Sequence, residues 1–212
     1  MSVLNVKTQI VKDEASHIEK VIKVTIPVTN SKDYLALRAD IAHKQLLKSY
    51  RKEKKQNAKL KLKQFAYNIL PNDAGTLAGL HPLSSTISMD IDHIPVERLD
   101  EVIARLKVVI PVLRIMLIEV SAKGRDYDET GVHIVFQRDY LKSSEENLKK
   151  ASEVISIEGI EYDKNAKDDN RVMFATSDSP EDLIYLDEKI FDMVEVPHID
   201  TQTPVSFKNE TS

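Results

Sequence analysis

The sequence predicts an α+β fold, strands interleaved with helices, and three observations predict it. Ile87-Ser88-Met89-Asp90-Ile91-Asp92 alternates strictly between apolar and polar residues, the period of a strand with one buried face. Directly after it, Leu99, Val102, Ile103 and Leu106 recur as one helical stripe. Two β-type runs, Ile115 to Val120 and Val132 to Phe136, then flank a long polar and acidic segment, as the arms of a hairpin do.

Composition bounds what such a chain can be. With 212 residues, 42% of them hydrophobic, it can bury a full core. The expected organisation is one domain over residues 1–200, divisible into an N-terminal lobe (1–75) and a second lobe (76–200), with 201–212 as a polar tail or linker. The absence of cysteine excludes disulfides, thiolate zinc sites and cysteine nucleophiles, and suits a reducing cytoplasm. The longest apolar run, Val108 to Ile118, is broken by Arg114 and too short for a bilayer, and Met1 to Lys7 lacks a signal-peptide pattern. A soluble cytoplasmic protein without membrane contact is expected.

Taken in order, Val21 to Pro27 reads as a strand closed by its proline. From about Ser31 a helix is expected, carrying Tyr34, Leu35, Leu37, Ile41, Leu46, Leu47 and Tyr50 and running into a lysine-rich stretch. Leu60, Leu62, Phe65, Ala66, Ile69 and Leu70 extend that apolar face until Pro71-Asn72-Asp73-Ala74-Gly75 ends it. Pro95 can open the helix after the alternating strand. Ser121 to Arg125 forms the polar turn that leaves the first hairpin strand. Ser143 and Glu146 have the spacing of a capping box and start a helix with Leu148 and Ala151. Ile155 to Tyr162 leads into Asp163, a charged loop follows to Arg171, and Val172 to Ala175 reads as a strand. For Ser179 to Leu186 two readings stand, a short helix from Ser179-Pro180 or an extended Leu183 to Leu186.

The alternating strand also carries the chemistry. Asp90 and Asp92 share one face, and two like charges there repel unless a cation lies between them. Oxygen donors in such a pair suit Mg²⁺ or Mn²⁺. On this reading, neutralising both carboxylates in the absence of metal relieves repulsion. Net charge is −4, which argues against indiscriminate nucleic-acid binding, yet the lysines cluster between Lys44 and Lys63. Lys52, Lys54, Lys55 and Lys59 are therefore either a phosphate track or the solvated face of a helix.

The ordered set of pieces resembles the archaeo-eukaryotic primase superfamily, and more closely the primase-polymerase-like N-terminal domain of VirE-type proteins of bacterial mobile elements. The matching residues are Phe65 to Pro71, a helix ending in Leu-Pro in that family; His81 to His93 with Asp90-Ile91-Asp92; Ser121-Ala122-Lys123-Gly124; Gly131-Val132-His133-Ile134; Gly159 to Asp163; Asn170-Arg171; and Ser177 to Pro180. They span roughly residues 20–190. Asp126 to Thr130 departs from the pattern as an insertion, and Gly131 stands where the family often has serine.

The resemblance implies a primase-polymerase-like (RRM-like) sheet flanked by helices, with an N-terminal α/β subdomain. It implies two-metal nucleotidyl transfer with Asp90, Asp92 and Asp163 as catalytic metal ligands, Asp169 being the alternative to Asp163. Ser121, Lys123, Arg125, His133 and Arg171 become nucleotide-binding residues. Nucleoside triphosphates and a DNA template and primer become the partners, with a helicase or ATPase domain as a further one. Two rival readings use the same residues: a catalytically silent nucleic-acid-binding module, and a metal-dependent phosphoesterase.

Overall fold

β-branched sequence at the start of the chain gives two ten-residue strands, β1 (Val3–Lys12) and β2 (Glu19–Val28), paired antiparallel from Val3 opposite Val28 to Lys12 opposite Glu19. The structure is a computed structural model that describes residues 3–12, 19–163 and 168–197. The expected tail, 201–212, lies outside the described residues.

Asn30 accepts a hydrogen bond from the Asp33 amide and starts helix α1 (Ser31–Ala39); Asp40 does the same for the His43 amide and starts α2 (Ile41–Glu53). The sequence reading runs a single helix through here. Asp40, at ψ 129°, leaves helical geometry to cap the second helix, and so there are two. Lys54 ends α2 in the left-handed region, and α3 (Gln56–Lys59) is a single turn.

The next difference is larger. Phe65 to Leu70 does not continue a helix: Gln64–Ala66 is strand β3, paired with β1, and the chain runs on to an isolated bridge between Ile69 and Leu83. Every residue from Phe65 to Leu70 is buried, and a short run buried on all sides has no period by which strand and helix could be told apart.

Strand β4 (Leu83–Ser84) precedes β5 (Thr86–Pro95), the alternating strand. After a 3-10 turn at Val96–Arg98 comes α4 (Leu99–Leu113), which Arg114 ends in the left-handed region with its amide on Ile110. β6 (Ile115–Val120) and β7 (Glu129–Gln137) form the hairpin, and α5 (Ser144–Ile155) opens with the expected capping box. The residues after α5 form no strand on the way to Asp163; they touch the sheet at one bridge, Tyr162 to Ile91. β8 (Met173–Phe174), the extended alternative β9 (Leu183–Leu186) and β10 (Glu195–Val196) complete the chain.

The strands form two four-stranded antiparallel sheets, ordered β2-β1-β3-β8 and β5-β7-β6-β9, beside a small β10-β4 ladder. One face of the second sheet, with Ile87, Met89, Ile91, Val132, Ile134 and Phe136, packs on α4 and α5. The other face turns to the first sheet: Met116, Leu117 and Val135 meet Val3, Phe65, Met173 and Tyr34 in a second core. Because side chains alternate, Ser88, Asp90, Asp92 and His133 fall on this inner face.

β5 is an edge strand, and its free edge is covered. Asn68 Oδ1 accepts from the Ser88 amide at 2.7 Å, and the Asp163 amide donates to the Asp90 carbonyl at 2.9 Å. Its pairing with β7 shifts register between Ile91 and Ile94, a β-bulge in which His93 has φ 56°. Among the described residues no helix is long and apolar enough to cross a membrane.

Candidate functional site

Three strands of the second sheet place three titratable residues in a row. Asp90 on β5 lies opposite His133 on β7, and His133 lies opposite Glu119 on β6. His133 Nδ1 is 3.2 Å from Glu119 Oε1, and its Nε2 is 3.6 Å from Asp90 Oδ1. Behind the row, Arg38 of α1 donates to Glu119 Oε2 at 2.6 Å and to the Tyr34 hydroxyl at 2.5 Å, and Thr176 Oγ1 donates to the same Glu119 oxygen at 3.2 Å. Arg38 and Glu119 are both fully buried. Burial opposes the Glu119 charge, but Arg38 and His133 outweigh it and hold the carboxyl down at about 2. For His133 burial again opposes the charge, and Asp90 and the Glu119 hydrogen bond raise its pKa regardless.

At the open end of the row, Arg171 bridges two carboxylates, with Nη2 2.8 Å from Asp90 Oδ2 and Nη1 3.0 Å from Asp163 Oδ2. Asp169 belongs elsewhere: its Oδ1 accepts from Arg138 at 3.1 Å and Ser144 at 2.7 Å. Of the two candidates for a third carboxylate, Asp163 is therefore the one beside Asp90.

These residues open onto a cavity of about 510 Å³ lined by Asp90, Asp92, Ser121, Lys123, His133 and Arg171, with Lys23 of β2 and Lys59 of α3 completing its cations. The Asp92 carboxyl sits above the usual carboxylate range, first because it is desolvated and then because Asp90 is near. Gly131 makes this packing feasible. A Cβ there would lie 2.9 Å from Asp92 Oδ1 and 2.9 Å from the Ile91 carbonyl oxygen, so any side chain at this position would crowd both. Ser121 is anchored, its hydroxyl accepting from the Gly131 amide at 3.1 Å.

The Ser121 to Arg125 turn is held from α2. Arg51 donates to the Ala122 carbonyl at 3.0 Å and pairs in two-pronged fashion with Asp182, at 3.1 and 2.7 Å. Its guanidinium lies so close over Gly124, which has φ 61°, that a Cβ there would come within 2.6 Å of Arg51 Cζ. Lys123 reaches the cavity from this clamped turn.

One residue expected at the nucleotide site does not line the cavity, and the lysines expected to track phosphates have partners within the chain. Arg125 pairs with Asp100 at 2.6 Å instead. Lys52 and Lys54 fold onto the carboxylate and carbonyl of Asp126, Lys54 also lying over the Tyr127 ring, while Lys55 pairs with Glu53 at 2.5 Å. Only Lys59 of that group lines the cavity. The reason is local: the hairpin tip offers Lys52 a carboxylate and Lys54 a carbonyl and a ring, and α2 itself offers Lys55 Glu53.

Asp90 Oδ1 is buried without a hydrogen-bond partner, since 3.6 Å to His133 exceeds hydrogen-bond reach. With half-buried Asp92 beside it, the pair fits a hard divalent cation. Among the described residues no cluster of three or more ligand-type side chains is in metal-binding range, because Asp163 is turned to Arg171.

Glu119, Arg38 and Lys23 were not anticipated. Glu119 had a signal: it is the one charged residue in the otherwise apolar Ile115 to Val120, and a charge there requires a partner. Arg38 and Lys23 had none, since their partners come from strands and loops distant in sequence. Comparison with known protein families, curated proteins and solved structures finds no match for this chain.

Proposed function

We propose that this protein is a primase-polymerase-like nucleotidyltransferase whose cleft takes a nucleoside triphosphate with Mg²⁺ or Mn²⁺ beside a DNA template and primer. The observation that carries this reading is the buried Oδ1 of Asp90, left without a hydrogen-bond partner in a residue that, with Asp92, lines a cavity also lined by Lys59, Lys123, His133 and Arg171. Two carboxylates within a ring of cations suit a metal-bound polyphosphate better than either charge sign alone would. The β5-α4-β6-β7-α5 succession, with β7 between β5 and β6, both helices on one face and an α/β unit preceding it, supports the RRM-like arrangement that the sequence resemblance implies, while β9 is added at the β6 edge.

Asp90 and Asp92 would hold the cation, which when bound neutralises the polyphosphate and activates a 3′-hydroxyl for in-line attack. Lys59 and Lys123 neutralise phosphate oxygens, and protonated His133 donates from Nε2 to one of them. Asp92, already destabilised as an anion by burial and by Asp90, gains from any cation that enters.

One observation favours the silent binding module as a second reading. Arg171 neutralises Asp163 and one oxygen of Asp90 by itself, so the third carboxylate is satisfied without metal. Incorporation of a labelled deoxynucleotide on a primed template with Mn²⁺, alongside calorimetric binding of Mn²⁺ and triphosphate, separates the two. Incorporation that Asp92→Asn abolishes supports the transferase. Binding without incorporation leaves the silent module, and neither overturns both.

A further inference from the structure

We infer that the edge strand β8 and the apolar residues beside it form a subsite for the nucleoside of the triphosphate, with Phe174 as its main contact. The inference rests on the nucleotidyl-transfer reading for the phosphates and adds where the rest of the ligand lies.

The cavity has two walls of different chemistry. The second sheet contributes Asp90, Asp92, Ser121, Lys123 and His133, all polar or charged. Facing them from the other half of the chain are Leu77, whose amide donates to the Lys23 carbonyl along β2, and Val172, Met173 and Phe174 of β8 and its approach. Arg171 stands at the junction, its guanidinium on Asp90 and its chain neighbour Val172 on the apolar wall. Lys59 brings a cation to the apolar side, with Nζ 5.3 Å from the centre of the Phe174 ring. A phosphate held by Lys59 therefore leaves an attached nucleoside within reach of Phe174.

β8 offers an edge as well as a surface. It is the last strand of the first sheet, and among the described residues no strand pairs with its side away from β3. The Ala175 amide donates to the Lys63 carbonyl at 2.8 Å, so by alternation Phe174 turns its own N–H and C=O away from β3. The cavity runs along that edge. Val172 packs toward Leu4 and Val6 on one face of the sheet and Met173 enters the core between the sheets on the other, yet both line it. A main-chain donor and acceptor beside an apolar side chain suit the flat face and polar rim of a nucleobase. A bare polyphosphate can use neither.

The test is calorimetry on the intact chain with two ligands, tripolyphosphate and deoxyadenosine triphosphate (dATP), each with Mn²⁺ and without template. Tripolyphosphate carries no less negative charge, so tighter binding of dATP is the work of its nucleoside. Wild type should bind dATP about tenfold more tightly than tripolyphosphate, the scale of one stacked base. Phe174→Ala should bring dATP to the tripolyphosphate level and leave tripolyphosphate within about twofold. Phe174 also packs on the Leu47 and Tyr50 cluster, so amide NMR of the wild type decides if that variant does not fold. There dATP should shift the Phe174 amide resonance well beyond any shift that tripolyphosphate causes. Equal affinity for the two ligands, equal losses in Phe174→Ala, or a Phe174 amide that dATP leaves in place overturns the subsite and keeps the phosphate site. A wild type that binds neither ligand overturns the proposed function and the subsite together.

Discussion

Asp92 and Asp90, two residues apart, answer neutralisation in opposite ways. A carboxyl whose folded pKa is raised costs stability once it ionises, so at neutral pH the Asp92 anion works against the fold. Asp92→Asn should leave the melting temperature in chelator unchanged or raise it by up to about 2 °C, on the scale of 2–4 °C per kcal/mol for a chain this long. Asp90→Asn should lower it by several degrees, because Asp90 is an ion-pair partner of Arg171. The sequence treats the two as an equivalent repelling pair; Arg171, 81 residues away, makes them unequal. Thermal scans of both variants in chelator check this, and equal shifts would refute it. Glu119 supplies a second residue-scale expectation. Its folded pKa lies below the ordinary value, so its contribution is complete above about 4.5 and is lost as pH falls toward about 2. Wild type should lose thermal stability more steeply than Glu119→Gln across that window, whereas parallel curves would show that Glu119 is not held as an anion.

Among elements, the β6–β7 hairpin is where the sequence could be read most fully, and α2–α3 is where it left two readings open. Alternation alone fixed which faces of β5 and β7 turn inward, and so set Asp90, Asp92 and His133 side by side. The lysine track could not be read in the same way, because solvation and ion pairing of a helix face look identical in sequence. With Lys52, Lys54 and Lys55 engaged by Asp126 and Glu53, Lys59→Gln alone should weaken single-stranded DNA binding and flatten its log–log salt slope by about 0.7, the worth of one contact. Gln at the other three positions should change the slope by less than that one substitution does; fluorescence anisotropy across a salt series measures both. Gly131→Ala tests the packing of the two strands. A methyl 2.9 Å from both a carboxylate and a carbonyl oxygen should cost roughly 1–3 kcal/mol in urea unfolding and weaken Mn²⁺ binding through displaced Asp92. A variant as stable as wild type would mean the strands are less closely apposed.

On the scale of the molecule, the strand-and-helix alternation of the second sheet was legible, while in the first sheet β2 and β8 were legible and β1 and β3 were not. β1 gave no clear alternation, and β3 is a short run buried on all sides, so neither announced that it would pair with a distant partner. The core between the sheets joins Val3, Tyr34, Phe65 and Met173 to Met116, Leu117 and Val135. Leu117→Ala should therefore cost about 2–5 kcal/mol and lower a single transition. Tyrosine fluorescence, to which Tyr34 and Tyr67 in the shared core and Tyr162 and Tyr185 against the helix-backed core all contribute, should melt together with far-UV circular dichroism. Separated transitions would show that the shared core does not couple the two halves.

The β-bulge at Asp92 and His93 has a bearing on how this chain can vary. Pairing of β5 with β7 is continuous from Thr86 to Ile91 and resumes, out of step, at Ile94. The bulge is thus an expansion joint between Asp90 and the hairpin tip. Residues gained or lost in the tip can be taken up there, beyond the last paired residue Ile91, without carrying Asp90 across the sheet. The acidic segment from Asp126 to Thr130 lies on the far side of that joint, where length can drift while the cleft keeps its register.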